Sequence, residues 1–191
     1  MSKLILASQS PRRQKLLKGL GLTFDVIPAD VDETPLANEH PKKYVERVCL
    51  AKAQKIFETN KDCTVLAGDT ICTIGRRIIG KPESKEEAAK MLRMMSGRRQ
   101  RVYTSICAID STGKPHTYLS QNKLKFVALR EKDIQKYVAN EENWQGKAGG
   151  FTISMSTGGA LVDWVQGSPS GILGLPLSNT VNLLRVCGHD L

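Results

Sequence analysis

An α/β chain with a mixed sheet is what this sequence predicts, and two patterns predict it. In the first seventy residues short apolar runs alternate with capped helical segments, as parallel strand-helix-strand units require. Later, between 101 and 129, two long strand-like segments flank Ser111-Thr112-Gly113-Lys114-Pro115, as a hairpin requires. A length of 191 residues, 40% hydrophobic and 25% charged, suits one domain over 1–191 with one or two small lobes on a continuous core. The same figures exclude disorder, collagen and coiled coil.

The elements follow in order. Residues 4–7 (Leu-Ile-Leu-Ala) read as a short buried strand, and Ser10-Pro11 then supplies an N-cap and a proline at the first helical position, giving a helix over 11–20. A second strand is expected at 24–27, followed by an irregular acidic and proline-containing connection over 28–39. The next helix, over 41–58, carries Val45, Cys49 and Ile56 on one stripe with Val48 beside it, and the missing member of that stripe is Lys52. A strand over 64–67 ends at Gly68-Asp69-Thr70, which puts Asp69 at a strand end, and 71–74 and 77–79 pair around Gly75-Arg76. A helix over 84–95, acidic in its first turn, places Ala88, Met91, Leu92 and Met95 on one side as core filling. Strands over 101–109 and 116–129 come next, then a helix over 131–139. Glycine-rich loops at 146–150 and 167–174 flank a strand region over 159–165, and a terminal helix follows Pro176.

Composition removes several function classes. No apolar run approaches the ~20 residues of a membrane-spanning helix, and the N-terminus turns polar at Ser8-Gln9-Ser10 too early for a secretory signal, so a cytosolic protein without membrane attachment is expected. Five scattered cysteines without a Cys-x-x-Cys pair suggest neither a disulfide framework nor a zinc knuckle. The three histidines fit neither a triad nor a histidine metal site. The balance of 28 Lys+Arg against 19 Asp+Glu favours an anionic partner. With only 5% aromatics, not interleaved with the basic residues, stacking platforms for single strands are poorly supported, which argues against nucleic acid.

Several residues could carry chemistry. Ser8, Ser10, Arg12 and Arg13 gather hydroxyls, free helix N–H groups and two guanidiniums at one helix N-terminus, a combination suited to phosphate. Lys52 on the apolar stripe has the commoner fate of a snorkelling lysine, and the stripe by itself points no further. Lys81 in Gly80-Lys81-Pro82 could aim an ammonium at a ligand, although an ordinary turn lysine looks the same. Asp69 could activate water or hold a hard metal ion, and Asp30, Asp32 and Glu33 could supply a second carboxylate. Gly146-Lys147-Ala148-Gly149-Gly150 fits neither a Walker pattern nor G-x-G-x-x-G.

Taken together, Leu4-Ile5-Leu6-Ala7-Ser8-Gln9-Ser10-Pro11-Arg12-Arg13, Gly68-Asp69-Thr70, Gly80-Lys81-Pro82, Met91-Leu92-x-x-Met95-Ser96-Gly97-Arg98, Gly146-Lys147-Ala148-Gly149-Gly150 and Gly174-Leu175-Pro176-Leu177 resemble the Maf family of nucleoside triphosphate pyrophosphatases nearly end to end. The resemblance implies an elongated mixed β-sheet with flanking helices in two lobes around a central cleft, similar to inosine triphosphate pyrophosphatase-like folds, and a homodimer. It implies hydrolysis of a nucleoside triphosphate between the α and β phosphates with a divalent cation, Mg2+ or Mn2+. By position Asp69 resembles the family's proton acceptor, with Glu33 its partner in handling the metal, and Ser8, Arg12, Arg13, Lys52 and Lys81 resemble the substrate-binding set around the triphosphate.

Arg12 and Thr70 match the branch of the family that acts on dTTP and UTP, and neither the tryptophan nor the glutamine of the 7-methyl-GTP branch occurs at these positions. Ser154 departs from the pattern, since Ile153-Ser154-Met155 replaces the family's Ile-Gln-Gly at the third specificity position. The expectation is therefore a pyrophosphatase acting on dTTP and UTP, with modified pyrimidine nucleotides included. The alternatives are the 7-methyl-GTP activity of the same family, or a nucleic-acid-binding or septum-formation regulatory protein.

Overall fold

A computed structural model describes residues 2–153 and 158–190. Seven strands form one sheet: β1 (Lys3–Leu6), β2 (Asp25–Val26), β3 (Cys63–Ile74), β4 (Arg77–Ile79), β5 (Arg99–Ile109), β6 (Pro115–Phe126) and β7 (Val162–Gln166). Their order is β2-β1-β3-β5-β6-β7, with β4 added to β3. β1 runs parallel to β2 and β3, and the remaining pairs are antiparallel, so the sheet is mixed as expected. Among the described residues six α-helices flank it: α1 (Pro11–Lys18), α2 (Pro41–Phe57), α3 (Lys85–Met95), α4 (Glu131–Val138), α5 (Pro169–Ile172) and α6 (Leu177–Val186). No described helix is long and apolar enough to cross a membrane.

The sheet's two faces bury different helices because successive strand side chains point opposite ways. Val65, Ala67, Cys107 and Ile109 pack under Cys49, Ala53 and Ile56 of α2. Leu66, Ile106 and Ala108, one position out of phase, pack instead against Leu17 of α1 and Leu184 of α6. At the other end of the long strands, Cys72, Val102, Leu124 and Phe126 join Met91, Leu92 and Met95 of α3 and Ile134 of α4 in a second, separate cluster. These two ends are the lobes.

Several boundaries differ from expectation. The segment 24–27 keeps only two strand residues, because β2 is in register with β1 at Ile5↔Asp25 and Leu6↔Val26 alone, and beyond them a single bond runs from the Ile27 N–H to the Leu6 carbonyl. Residues Gly159–Leu161 form a 3-10 turn before β7, and the glycine-rich stretch 167–174 contains the short helix α5. The main correction concerns Asp69. It does not end a strand; β3 continues through it to Ile74, with Asp69 opposite Ser105, because β5 supplies a matching ladder on one side along the whole length.

Gly167 illustrates how tightly the second glycine-rich loop is fitted. Its φ of +118° is open to glycine, and a Cβ there would lie 2.4 Å from Asn122 Oδ1. Gly167→Ala is therefore expected to cost about 2 kcal/mol from backbone strain alone, lowering Tm by roughly 4–8 °C in a chain of this size. Thermal denaturation followed by circular dichroism checks it, and an unshifted Tm would refute the close fit.

Candidate active site

β3 is flanked on one edge by β5 throughout, but its other edge is only partly occupied. β1 covers it as far as Leu66, and β4 takes it up again at Cys72. Over 67–71 no described strand covers that edge. The chain leaves β1 at Leu6 and enters α1 at Pro11, so Ser8 and the start of α1 arrive at this gap. This is the crevice beyond the carboxyl end of a parallel strand, where open α/β sheets display ligand groups.

Within the gap the pleat separates Asp69 from Thr70. Asp69 faces α2, where Lys52 Nζ donates to its Oδ1 at 2.7 Å, and both residues are under 10% exposed. Lys52 also pairs with Glu33 Oε1 at 2.7 Å, so one ammonium bridges two carboxylates. The lysine that interrupts the apolar stripe of α2 thus ends on acids rather than in solvent. Burial alone pushes the Lys52 ammonium toward its neutral form, but the carboxylates outweigh it and hold its pKa above the usual 10.5. Half-burial likewise pushes Glu33 up; hydrogen bonding and charge from Lys52, aided by Lys81 and Arg13, bring it below the usual 4.5.

Glu33 comes from the irregular connection, and α2 fixes it there. Tyr44 Oη donates to the Glu33 carbonyl at 2.8 Å, while Arg47 grips both carboxylate oxygens of Glu39 at 2.7 and 2.8 Å and the Thr34 carbonyl at 3.1 Å. The other acids of that segment are not recruited. Asp32 spends Oδ1 on the Thr34 backbone N–H, and Asp30 is exposed.

Thr70 faces the opposite side and meets Arg13. The Arg13 guanidinium donates to Ser8 Oγ at 3.0 Å, Thr70 Oγ1 at 3.0 Å and the Gly174 carbonyl at 2.9 Å. It lies over Gly68, where a Cβ would come within 3.0 Å of its Nε. Three of its five N–H groups are thereby fixed, leaving two to address a ligand. Burial lowers its pKa, and the charge of Asp69 opposes that shift. Arg12 lines a narrow cleft with Thr70, Val102, Phe151, Ile153 and Ile172, and its pKa is lowered by burial and by Arg13.

Ser8, Arg12, Arg13, Glu33, Lys52, Asp69 and Thr70 are thus assembled around one gap in the sheet. Lys81 is exposed after β4, near enough for its charge to act on Glu33. Ser154 lies outside the described residues. Tyr44 and Arg47 hold the site together and were not singled out from sequence, because an aromatic and a cation one turn apart on α2 carry no local signal of a loop clamp; Gly174 lies in a motif of the resemblance, without a role assigned to it.

The donor set for a divalent cation is two carboxylates. Only Oδ1 of Asp69 and Oε1 of Glu33 are engaged by Lys52, leaving each group a second oxygen, and hard carboxylate oxygens suit Mg2+ or Mn2+. No group of three or more possible ligands occurs among the described residues. A cation held here would complete its coordination with phosphate oxygens and water, as Mg2+ commonly does.

A sequence model of the family described as Maf-like protein matches residues 3–187. A relative from Chelativorans sp. is 43% identical over 98% of this chain and 92% of its own length. One from Mesorhizobium japonicum is 44% identical over 100% and 94%, and one from Wolbachia sp. is 44% identical over 96% and 93%. All three relatives are named dTTP/UTP pyrophosphatase. Among solved structures, a Staphylococcus aureus Ham1 protein superposes with a TM-score of 0.47 at 16% identity, over 65% of this chain and 71% of that one.

Proposed function

The chain belongs to the Maf-like protein family, and from that premise we propose that it hydrolyses dTTP and UTP to the nucleoside monophosphate and pyrophosphate, using a divalent cation. One observation carries the chemistry: a buried aspartate held on a lysine, in a sheet gap that Ser8, Arg12 and Arg13 adjoin, with the charge of Lys81 reaching Glu33. Four cations against two carboxylates leave a positive surplus suited to a polyanionic triphosphate. Relatives over nearly the full length that are named dTTP/UTP pyrophosphatase support the choice of nucleotide.

In this reading Asp69 takes the proton from the water that attacks the α-phosphoryl group, and the bond to the pyrophosphate leaving group breaks. Lys52 holds Asp69 in place through the 2.7 Å bond to its Oδ1. Arg12, Arg13 and Lys81 stabilise charge on the transferring and leaving phosphates, and Ser8 anchors Arg13. Asp69 and Glu33 would hold Mg2+ or Mn2+, whose chemistry is to neutralise phosphate oxygens and polarise the reacting group. We place the enzyme in the cytosol as a homodimer; five free cysteines suit a reducing compartment, and the family resemblance supports the dimer.

The test is a substrate panel of dTTP, UTP, CTP, GTP, 7-methyl-GTP and ITP, with Mg2+, Mn2+ or EDTA, resolving mono-, di- and pyrophosphate. Monophosphate and pyrophosphate from dTTP and UTP, lost in EDTA, are expected. Turnover confined to 7-methyl-GTP would overturn the nucleotide, and diphosphate as product would overturn the bond cleaved.

A further inference from the structure

Three polar side chains stand at inward positions of β5 and β6 where an aliphatic residue would pack: Thr104, Ser120 and Asn122, each at most 3% exposed. They face the loop and helix that precede Gly174. Asn122 Oδ1 accepts the Ser168 backbone N–H at 2.7 Å, and Ser168 Oγ accepts that of Gly171 at 3.0 Å. A Cβ on Gly171 would meet Ser120 Oγ at 2.7 Å. The backbone at Gly171 is therefore pinned, and its carbonyl accepts from Thr104 Oγ1 at 2.7 Å.

A hydroxyl has one proton, and Thr104 spends it on a carbonyl that can only accept. In the 3.0 Å contact between Thr70 Oγ1 and Thr104 Oγ1, Thr70 must then be the donor. Thr70 Oγ1 also accepts from Arg13 Nη2 at 3.0 Å. With its proton committed, Thr70 has only acceptor capacity left for the cleft that it lines with Arg12.

We infer that Thr104 is a positioning residue which keeps Thr70 an acceptor toward the base, so that the cleft selects pyrimidines with an N3–H donor over cytosine. Uracil and thymine carry that donor; cytosine presents an acceptor at N3, which would leave two lone pairs opposed. A site that hydrogen-bonds one group discriminates strongly against an analogue that cannot return the bond. The inference rests on the proposed pyrimidine substrate, which supplies the ligand but not the direction of the proton.

The experiment measures binding of UTP and CTP by calorimetry in metal-free buffer, beside turnover with metal, for wild type, Thr104→Val, Thr104→Ser and Thr70→Val. Wild type is expected to prefer UTP. Thr104→Val, which keeps shape but frees the Thr70 proton, is expected to lose about tenfold of that preference, and Thr104→Ser to restore it. Should Thr104→Val fail to fold, Thr70→Val gives the same reading by removing the acceptor. A merely structural role would weaken both nucleotides alike and leave the ratio unmoved. An unchanged ratio in the valine variants, or no UTP preference in wild type, overturns the inference. A wild-type protein that prefers UTP but hydrolyses no triphosphate overturns the proposed function and leaves this inference standing.

Discussion

Asp69→Asn is expected to lower kcat on dTTP and UTP by about 10²–10⁴-fold, the range for removing a positioned proton acceptor, with KM for the nucleotide little changed. The amide keeps the size of the carboxylate and an oxygen for the 2.7 Å bond from Lys52, so the surroundings are preserved while the basic lone pair is lost. The phosphate-facing cations are untouched, which is why binding survives and the loss falls on kcat. Halving the carboxylate pair should also raise the concentration of Mg2+ or Mn2+ needed for half-maximal rate. Steady-state kinetics with separate nucleotide and metal titrations read both effects, and a variant with the wild-type kcat would remove Asp69 from the mechanism.

Lys52→Met should be damaging for two reasons at once. It leaves Asp69 buried beside an apolar side chain, and breaking one partner of a buried charge pair costs about 3 kcal/mol or more, or roughly 6–12 °C of Tm in a chain of this size. It also releases Glu33, which pairs with Lys52 at 2.7 Å, so turnover should fall with stability. The pH dependence has a definite sign. Lys52 has a raised pKa, so its contribution is complete below 10.5 and fades as pH climbs through the native value. Glu33 has a lowered pKa, so its contribution is complete above 4.5 and is lost as pH falls through the native value. The stability gap between wild type and variant should therefore be flat near neutrality and narrow below pH 4.5. Urea denaturation across that range measures it, and a gap that widens in acid would contradict the bridge.

Much of this site was legible before the structure, because it is carried by residues whose local chemistry is anomalous. Ser10-Pro11 marks a helix start, and two arginines follow where the helix dipole disfavours them. Lys52 interrupts an apolar stripe, and Asp69 interrupts a run of apolar strand residues. The resemblance to the Maf family gave these anomalies roles, and the match over 3–187 supports the family. What was misread, the end of the strand at Asp69, failed because glycine and aspartate are poor strand formers by propensity. The ladder with β5 overrides that preference.

The sequence by itself determined the α/β class, the helix caps and the apolar faces of α2 and α3, because each follows from periodicity or spacing within one segment, while the resemblance to the Maf family singled out the charged residues gathered at the site. Only the tertiary structure decided that β3 has an uncovered edge at 67–71, that Asp69 and Thr70 look to opposite faces, and that Lys52 bridges Asp69 to Glu33. It also decided the direction of the proton from Thr70 through Thr104 to Gly171. The reason is physical: strand register and side-chain hydrogen bonding join residues far apart in the chain, and no local pattern encodes which of two hydroxyls will spend its proton first.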